Sequence, residues 1–146
     1  MRGIWVCLIC ALALCAASAW ADDVEIGFVK TVSGPAKLWR NDVSLAVGPG
    51  TAIYEGDRLE TGGGALMGIT FRDDTRISLG EKTQFVIRRF VFKPAEQQYG
   101  LVLRLVIGTL QYIAGLTGKL APQAISVETP QFTIGVRGTR FLVRAE

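Results

Sequence analysis

Residues 84–107 read QFVIRRFVFKPAEQQYGLVLRLVI, two alternating runs around a short polar break. In the first run Phe85, Ile87, Arg89 and Val91 fall on one face of an extended chain, and Gln84, Val86, Arg88 and Phe90 on the other. In the second, Leu101, Leu103, Leu105 and Ile107 share a face opposite Val102, Arg104 and Val106. A period of two is what a strand requires, because successive side chains leave a pleated backbone on opposite sides. Lys93 to Gly100 is the expected loop between them. Nothing here, or elsewhere downstream of residue 21, sustains the i, i+3, i+4, i+7 apolar spacing of an amphipathic helix.

Working outward, the same grammar repeats. Val24, Ile26 and Phe28 alternate up to a turn at Ser33-Gly34-Pro35. Ala36 to Trp39 runs into the turn pair Asn41-Asp42, and Val43, Leu45 and Val47 stop at Gly48-Pro49-Gly50. Arg58 to Thr61 is bracketed by Glu55-Gly56-Asp57 and Gly62-Gly63-Gly64. Ala65 to Phe71 and Thr75 to Leu79 flank Asp73-Asp74, a two-residue hairpin candidate. Thr109 to Ile113, Ala124 to Thr129, Phe132 to Ile134 and Thr139 to Val143 complete the set, and β-branched and aromatic residues fill the runs. The nearest approach to a helix, Leu110 to Ala121, is weakened by Gly115, Gly118 and the following Pro122. The expected fold is all-β: a single domain over residues 22–146 of many short strands, arranged as a sandwich, roll or β-solenoid-like stack, with little or no helix.

The front of the chain differs. Arg2 precedes an uncharged apolar stretch from Ile4 to Ala17, and Ser18-Ala19-Trp20-Ala21 follows. Charge, apolar core and small residues at −3 and −1 spell a signal peptide over residues 1–21, cleaved between Ala21 and Asp22. The apolar run is shorter than the ~20 residues that span a bilayer, so no stable membrane span is expected after cleavage. Cys15 follows Leu14 rather than a small residue, which argues against lipid attachment. Cleavage removes Arg2, lowering the net charge of +3 by one, and takes away all three cysteines, Cys7, Cys10 and Cys15. That balance does not ask for nucleic acid as a partner.

Chemistry-bearing residues are sparse. The chain has no histidine, and cleavage leaves no thiol. The commonest general base and the common zinc ligands are therefore missing. Ser33, Ser44, Ser78 and Ser126 lie outside any G-x-S-x-G pattern. Asp73-Asp74, and Asp57 with Glu60, are most simply turn residues that bind local backbone. Gly62-Gly63-Gly64 lacks the Lys-Ser/Thr that a phosphate loop needs. No catalytic, metal or cofactor residue is assigned, and the protein is expected not to be an enzyme. Arg88, Arg89 and Lys93 make a small basic cluster. They and Arg104 suit solvated strand ends or charges that keep strand edges from aggregating.

The last stretch carries a motif. Val127-Glu128-Thr129-Pro130 is followed by Ile134-Gly135-Val136-Arg137-Gly138-Thr139-Arg140-Phe141-Leu142-Val143. Thr-Pro followed by Val-Arg-Gly-Thr-x-Phe-x-Val resembles the signature of the FecR-type periplasmic domain family. Gly56-Asp57-Arg58-Leu59-Glu60-Thr61, the strand–hairpin–strand unit at Leu66 to Leu79, and Leu101 to Leu110 resemble its other segments in the same order. The resemblance covers Val47 to Val143. It implies only the middle domain of the family's sensors, without their sigma-regulating segment, so direct control of a sigma factor is not expected. Asp73-Asp74 also stands where the family more often has Asp-Gly. Gly138 suggests a bulge or a positive-φ corner within a strand, from which Arg137 could fold back onto a carboxylate or carbonyl. Val136, Arg137, Gly138 and Thr139 are thus candidates first for holding the fold together and second for touching a partner.

Together these readings point to a non-enzymatic interaction or sensing module exported to the bacterial periplasm, with another envelope protein as partner. The alternative is a carbohydrate- or peptidoglycan-binding module, for which Trp39, Tyr54, Tyr99 and Tyr112 supply aromatic faces.

Overall fold

The computed structural model of the chain describes residues 23–146, so the expected leader and its cleavage point at Ala21 and Asp22 lie outside the described residues. Twelve strands join into one sheet that curls into a half-barrel. Its axis is β9 (Gln98–Ile113), sixteen residues long. In one arm the first half of β9 pairs with β8 (Gln84–Lys93), and the sheet continues through β5 (Arg58–Thr61) and β2 (Ala36–Arg40) to β3 (Val43–Leu45). Along the other edge of that half lie β10 (Ile125–Glu128), parallel to β9, and then β11 (Thr133–Gly135). In the second arm the end of β9 pairs with β7 (Arg76–Leu79), which leads through β6 (Leu66–Phe71) and β1 (Gly27–Ser33) to β4 (Ala52–Ile53). β12 (Arg140–Ala145) pairs on the opposite edge of this half of β9. The all-β expectation holds, and the arrangement is a curled sheet. Among the described residues, helix is confined to α1 (Leu116–Leu120) and two short 3-10 turns.

Both arms contribute to one apolar cluster. Leu101, Leu103 and Leu105 of β9 are fully buried, as the alternation requires, and each contributes about 2 kcal/mol on transfer from water. The run does not continue to Ile107, which is largely exposed. Gly108 (φ +106°) kinks the strand there, and Leu110 and Tyr112 resume the inward face in the second arm. What reads as two strands is therefore one, bent where it passes between arms. Threonines clamp the bend. The Thr109 amide donates to Thr83 Oγ1 at 3.1 Å, the Thr83 amide to Thr61 Oγ1 at 3.0 Å, and the Thr61 hydroxyl to the Gly80 carbonyl at 2.6 Å.

Four other expectations change. In β8 the register shifts between Ile87 and Arg89, so Phe85, Ile87 and Phe90 face the core while Arg88 and Arg89 both face solvent. Strict alternation would have buried the Arg89 guanidinium beside Phe85, and a bulge avoids that desolvation. At the entry to β1, Ile26, Gly27 and Val29 are buried and Phe28 is exposed. Gly27 fills the inward position because a Cβ there would sit 2.5 Å from the Thr70 carbonyl oxygen. The hairpin between β6 and β7 has a three-residue loop, Arg72 to Asp74, with Asp74 left-handed at φ +65°. The loop expected over Lys93 to Gly100 also contracts, since Lys93 pairs with Gln98. By contrast Asn41 and Asp42 both take positive φ, the mirror-image turn their sequence favours.

Candidate functional site

Two carboxylates that read as turn residues are buried anchors. Asp57 closes the turn from Tyr54, where Gly56 takes φ +91°. It is 1 % exposed and receives Arg40 through both oxygens, Nε to Oδ1 at 2.9 Å and Nη2 to Oδ2 at 2.7 Å. The Tyr54 amide donates to the same carboxylate at 2.9 Å. Arg40 also donates to the Ala52 carbonyl at 3.1 Å and lies 4.4 Å over the Tyr54 ring. Its hydrogen bonds to Asp57 push the guanidinium further up from an already high pKa.

Asp73 is fully buried. It accepts from the amide and the hydroxyl of Thr75, at 3.0 and 2.7 Å, and from the amide of Thr117 at 3.3 Å. Its carbonyl accepts from Leu116 at 2.6 Å. The hairpin is thereby stitched to α1. Tyr112 lies beneath, stacked on Phe141 with ring centres 4.7 Å apart. Burial and then the charge of Asp73 raise its hydroxyl to about 12, and Thr75 opposes them. The Thr75 hydroxyl hydrogen is already given to Asp73, and the Tyr112 oxygen has no hydrogen-bond partner.

The Asp73 anchor sets α1 against the segment that carries the motif. Val136 is buried in the core cluster, and its amide donates to the Ile125 carbonyl at 3.3 Å. Arg137, Gly138 and Thr139 are exposed in a bend between β11 and β12, not inside a strand. Gly138 has φ +122° and open space where a Cβ would stand. The expected positive-φ corner is present. The expected fold-back of Arg137 onto a carboxylate is not: among the described residues its side chain makes no ion pair. The Thr139 carbonyl accepts from Ala114 at 2.8 Å and fixes the bend beside α1.

Between the bend and α1 runs an open groove of about 420 Å³, floored by Ala114 and Gly118 and rimmed by Lys119, Gln123, Arg137 and Thr139. Gly118 packs closely against the floor, since a Cβ there would press on Ala114 Cβ at 2.8 Å. Among the described residues its lining carries two cations, Lys119 and Arg137, and no acid, so the groove is positive.

The aromatic residues considered for sugar stacking do not share one face. Tyr112 is buried, Trp39 lies under Arg58 at 5.1 Å, Tyr54 lies under Arg40, and Tyr99 packs near Phe92 with ring centres 6.1 Å apart. Sequence reasoning missed the Arg40–Asp57 pair, which spans seventeen residues and has no local pattern. It also missed the tie from Asp73 to α1. The only sequence trace of that tie is a threonine two residues after the aspartate, the spacing of a side-chain-to-backbone turn.

A family model described as FecR protein matches residues 57–146, from the buried aspartate of the first anchor through the motif to the last residue. No curated protein and no solved structure matches the chain.

Proposed function

The chain belongs to the FecR family, and from that premise we propose that it is an exported, non-enzymatic interaction module which docks an envelope protein at the Arg137–Thr139 bend. The family is a regulatory one, found in sensing and signal-transduction proteins. Among the described residues no helix is long and apolar enough to cross a membrane. The observation that carries the reading is the contrast inside the motif. Val136 is packed, whereas the next three residues turn to solvent and border a groove, and among the described residues Arg137 forms no ion pair. A guanidinium held there without an internal carboxylate is suited to a carboxylate on a partner, through two parallel hydrogen bonds. Non-enzymatic action is supported by the use of Asp57 and Asp73 as structural acceptors.

Fractionation of a bacterial host should place the processed chain, starting at Asp22, in the periplasm. Mild crosslinking of periplasmic extract from the native organism should yield one dominant protein adduct with wild type and a much weaker one with Arg137→Ala. Retention in the cytosol would refute export, and an equal adduct with Arg137→Ala would refute docking at the bend.

A further inference from the structure

A second concave surface shares no residue with the motif groove. It is a cleft of about 780 Å³ where the ends of β8 and β9 meet the entry to β1 and the hairpin loop. Such a volume falls within the roughly 300–1,000 Å³ of small-molecule sites. Its walls are apolar and aromatic, from Ile26, Phe90, Phe92 and Tyr99, and the charges on it are Arg72, Arg89 and Lys93. Among the described residues no acid lines it. Among the described residues none of the three cations forms an ion pair.

The arrangement is built by local structure. The β8 bulge turns Arg89 away from the core, and the main-chain amide it leaves at Phe90 is taken by Glu55 at 3.0 Å. That carboxylate answers the backbone, not a cation. Arg89 Nε lies 3.4 Å from where a Cβ of Gly100 would be, so the absent side chain leaves its path clear. Arg72 comes from the hairpin loop, whose amide is fixed to the Ile26 carbonyl at 2.9 Å. Three like charges around an apolar wall repel one another unless an anion sits among them.

We propose that this cleft binds a small amphiphilic organic anion, one with a phosphoryl or carboxylate group for Arg72, Arg89 and Lys93 and a planar or apolar body for Phe92 and Tyr99. Both parts are needed. The cations alone would hold simple anions weakly in water, and the apolar wall alone would not select charge.

The test uses the purified protein with four probes: 1-naphthyl phosphate, 2-naphthoate, neutral 2-naphthol and inorganic phosphate. Calorimetry should show at least one naphthyl anion binding about tenfold or more tightly than either 2-naphthol or inorganic phosphate, a separation of about 1.4 kcal/mol. The tighter of the two anions identifies the head group as phosphoryl or carboxylate. Arg72→Gln combined with Arg89→Gln should weaken that anion by about tenfold or more with an unchanged circular dichroism spectrum, and Lys93→Gln alone should weaken it less. Arg76→Gln, an exposed cation outside the cleft, should leave it unchanged. Absence of binding by both naphthyl anions at millimolar concentration, equal binding of 2-naphthol, or wild-type affinity in both Lys93→Gln and the folded double variant would overturn the proposal.

Discussion

Gly108 and Gly138 share a backbone conformation and differ in their surroundings. Both have φ above +100°. A Cβ on Gly108 would sit 2.5 Å from the Thr83 Cα, at the bend where the two arms of the sheet join. A Cβ on Gly138 would meet nothing within 4 Å. The same division separates the charged residues of the two regions. Asp57 accepts from Arg40 and from the Tyr54 amide, whereas among the described residues Arg137 forms no ion pair. Where a constrained residue is surrounded, the fold depends on it. Where it is constrained but open, torsion shapes a surface, and that surface is free to meet another molecule.

The strongest way to break this comparison is at Gly108. Gly108→Ala combines torsional strain with overlap against backbone, and urea unfolding should show a loss of about 4 kcal/mol or more. A loss no greater than that of Gly138→Ala would erase the distinction. Asp57→Ala leaves the half-buried Arg40 guanidinium and the Tyr54 amide without their acceptor. The expected cost is about 3 kcal/mol, read from the same denaturant curves. Gly138→Val should cost about 1–2 kcal/mol from torsion alone, visible as a lowered thermal midpoint. An unchanged melt would mean that the bend adapts freely.

Tyr112→Phe sharpens the comparison with the opposite sign. It removes a buried hydroxyl that has no partner and should stabilise the protein by about 1 kcal/mol at neutral pH. Tyrosine in an unfolded chain titrates near 10, and in the fold Tyr112 is raised to about 12. Between those values the unfolded chain releases this proton and the folded chain keeps it. The contribution is therefore complete below pH 10 and is lost as pH climbs towards 12. Thermal midpoints of Tyr112→Phe should fall less steeply over that range than those of wild type. Parallel slopes would contradict the burial of the hydroxyl.

Local pattern made much of this molecule legible. Arg58–Thr61 lies in the structure where its bracketing glycines put it, and Asn41-Asp42 turns as its residue types require. Leu101, Leu103 and Leu105 are buried together, as a period of two demands. The failures share a physical origin. The bulge at Arg88 exchanges local regularity for a solvated Arg89 guanidinium, the inward Gly27 for a close approach to Thr70, and the bend at Gly108 for a passage between arms. The order of strands in the sheet is likewise non-local. Of the motif, residue types gave the positive φ at Gly138. The groove beside Arg137 depends on α1, which Asp73 holds in place from forty-four residues before Thr117.

Stability resides in the packed arms and the two buried aspartates, and the proposed docking bend adds little to it. Equilibrium urea unfolding of Arg137→Ala puts this to the test. Its unfolding free energy should lie within about 0.5 kcal/mol of wild type. A loss above about 2 kcal/mol would instead show that Arg137 holds the fold together.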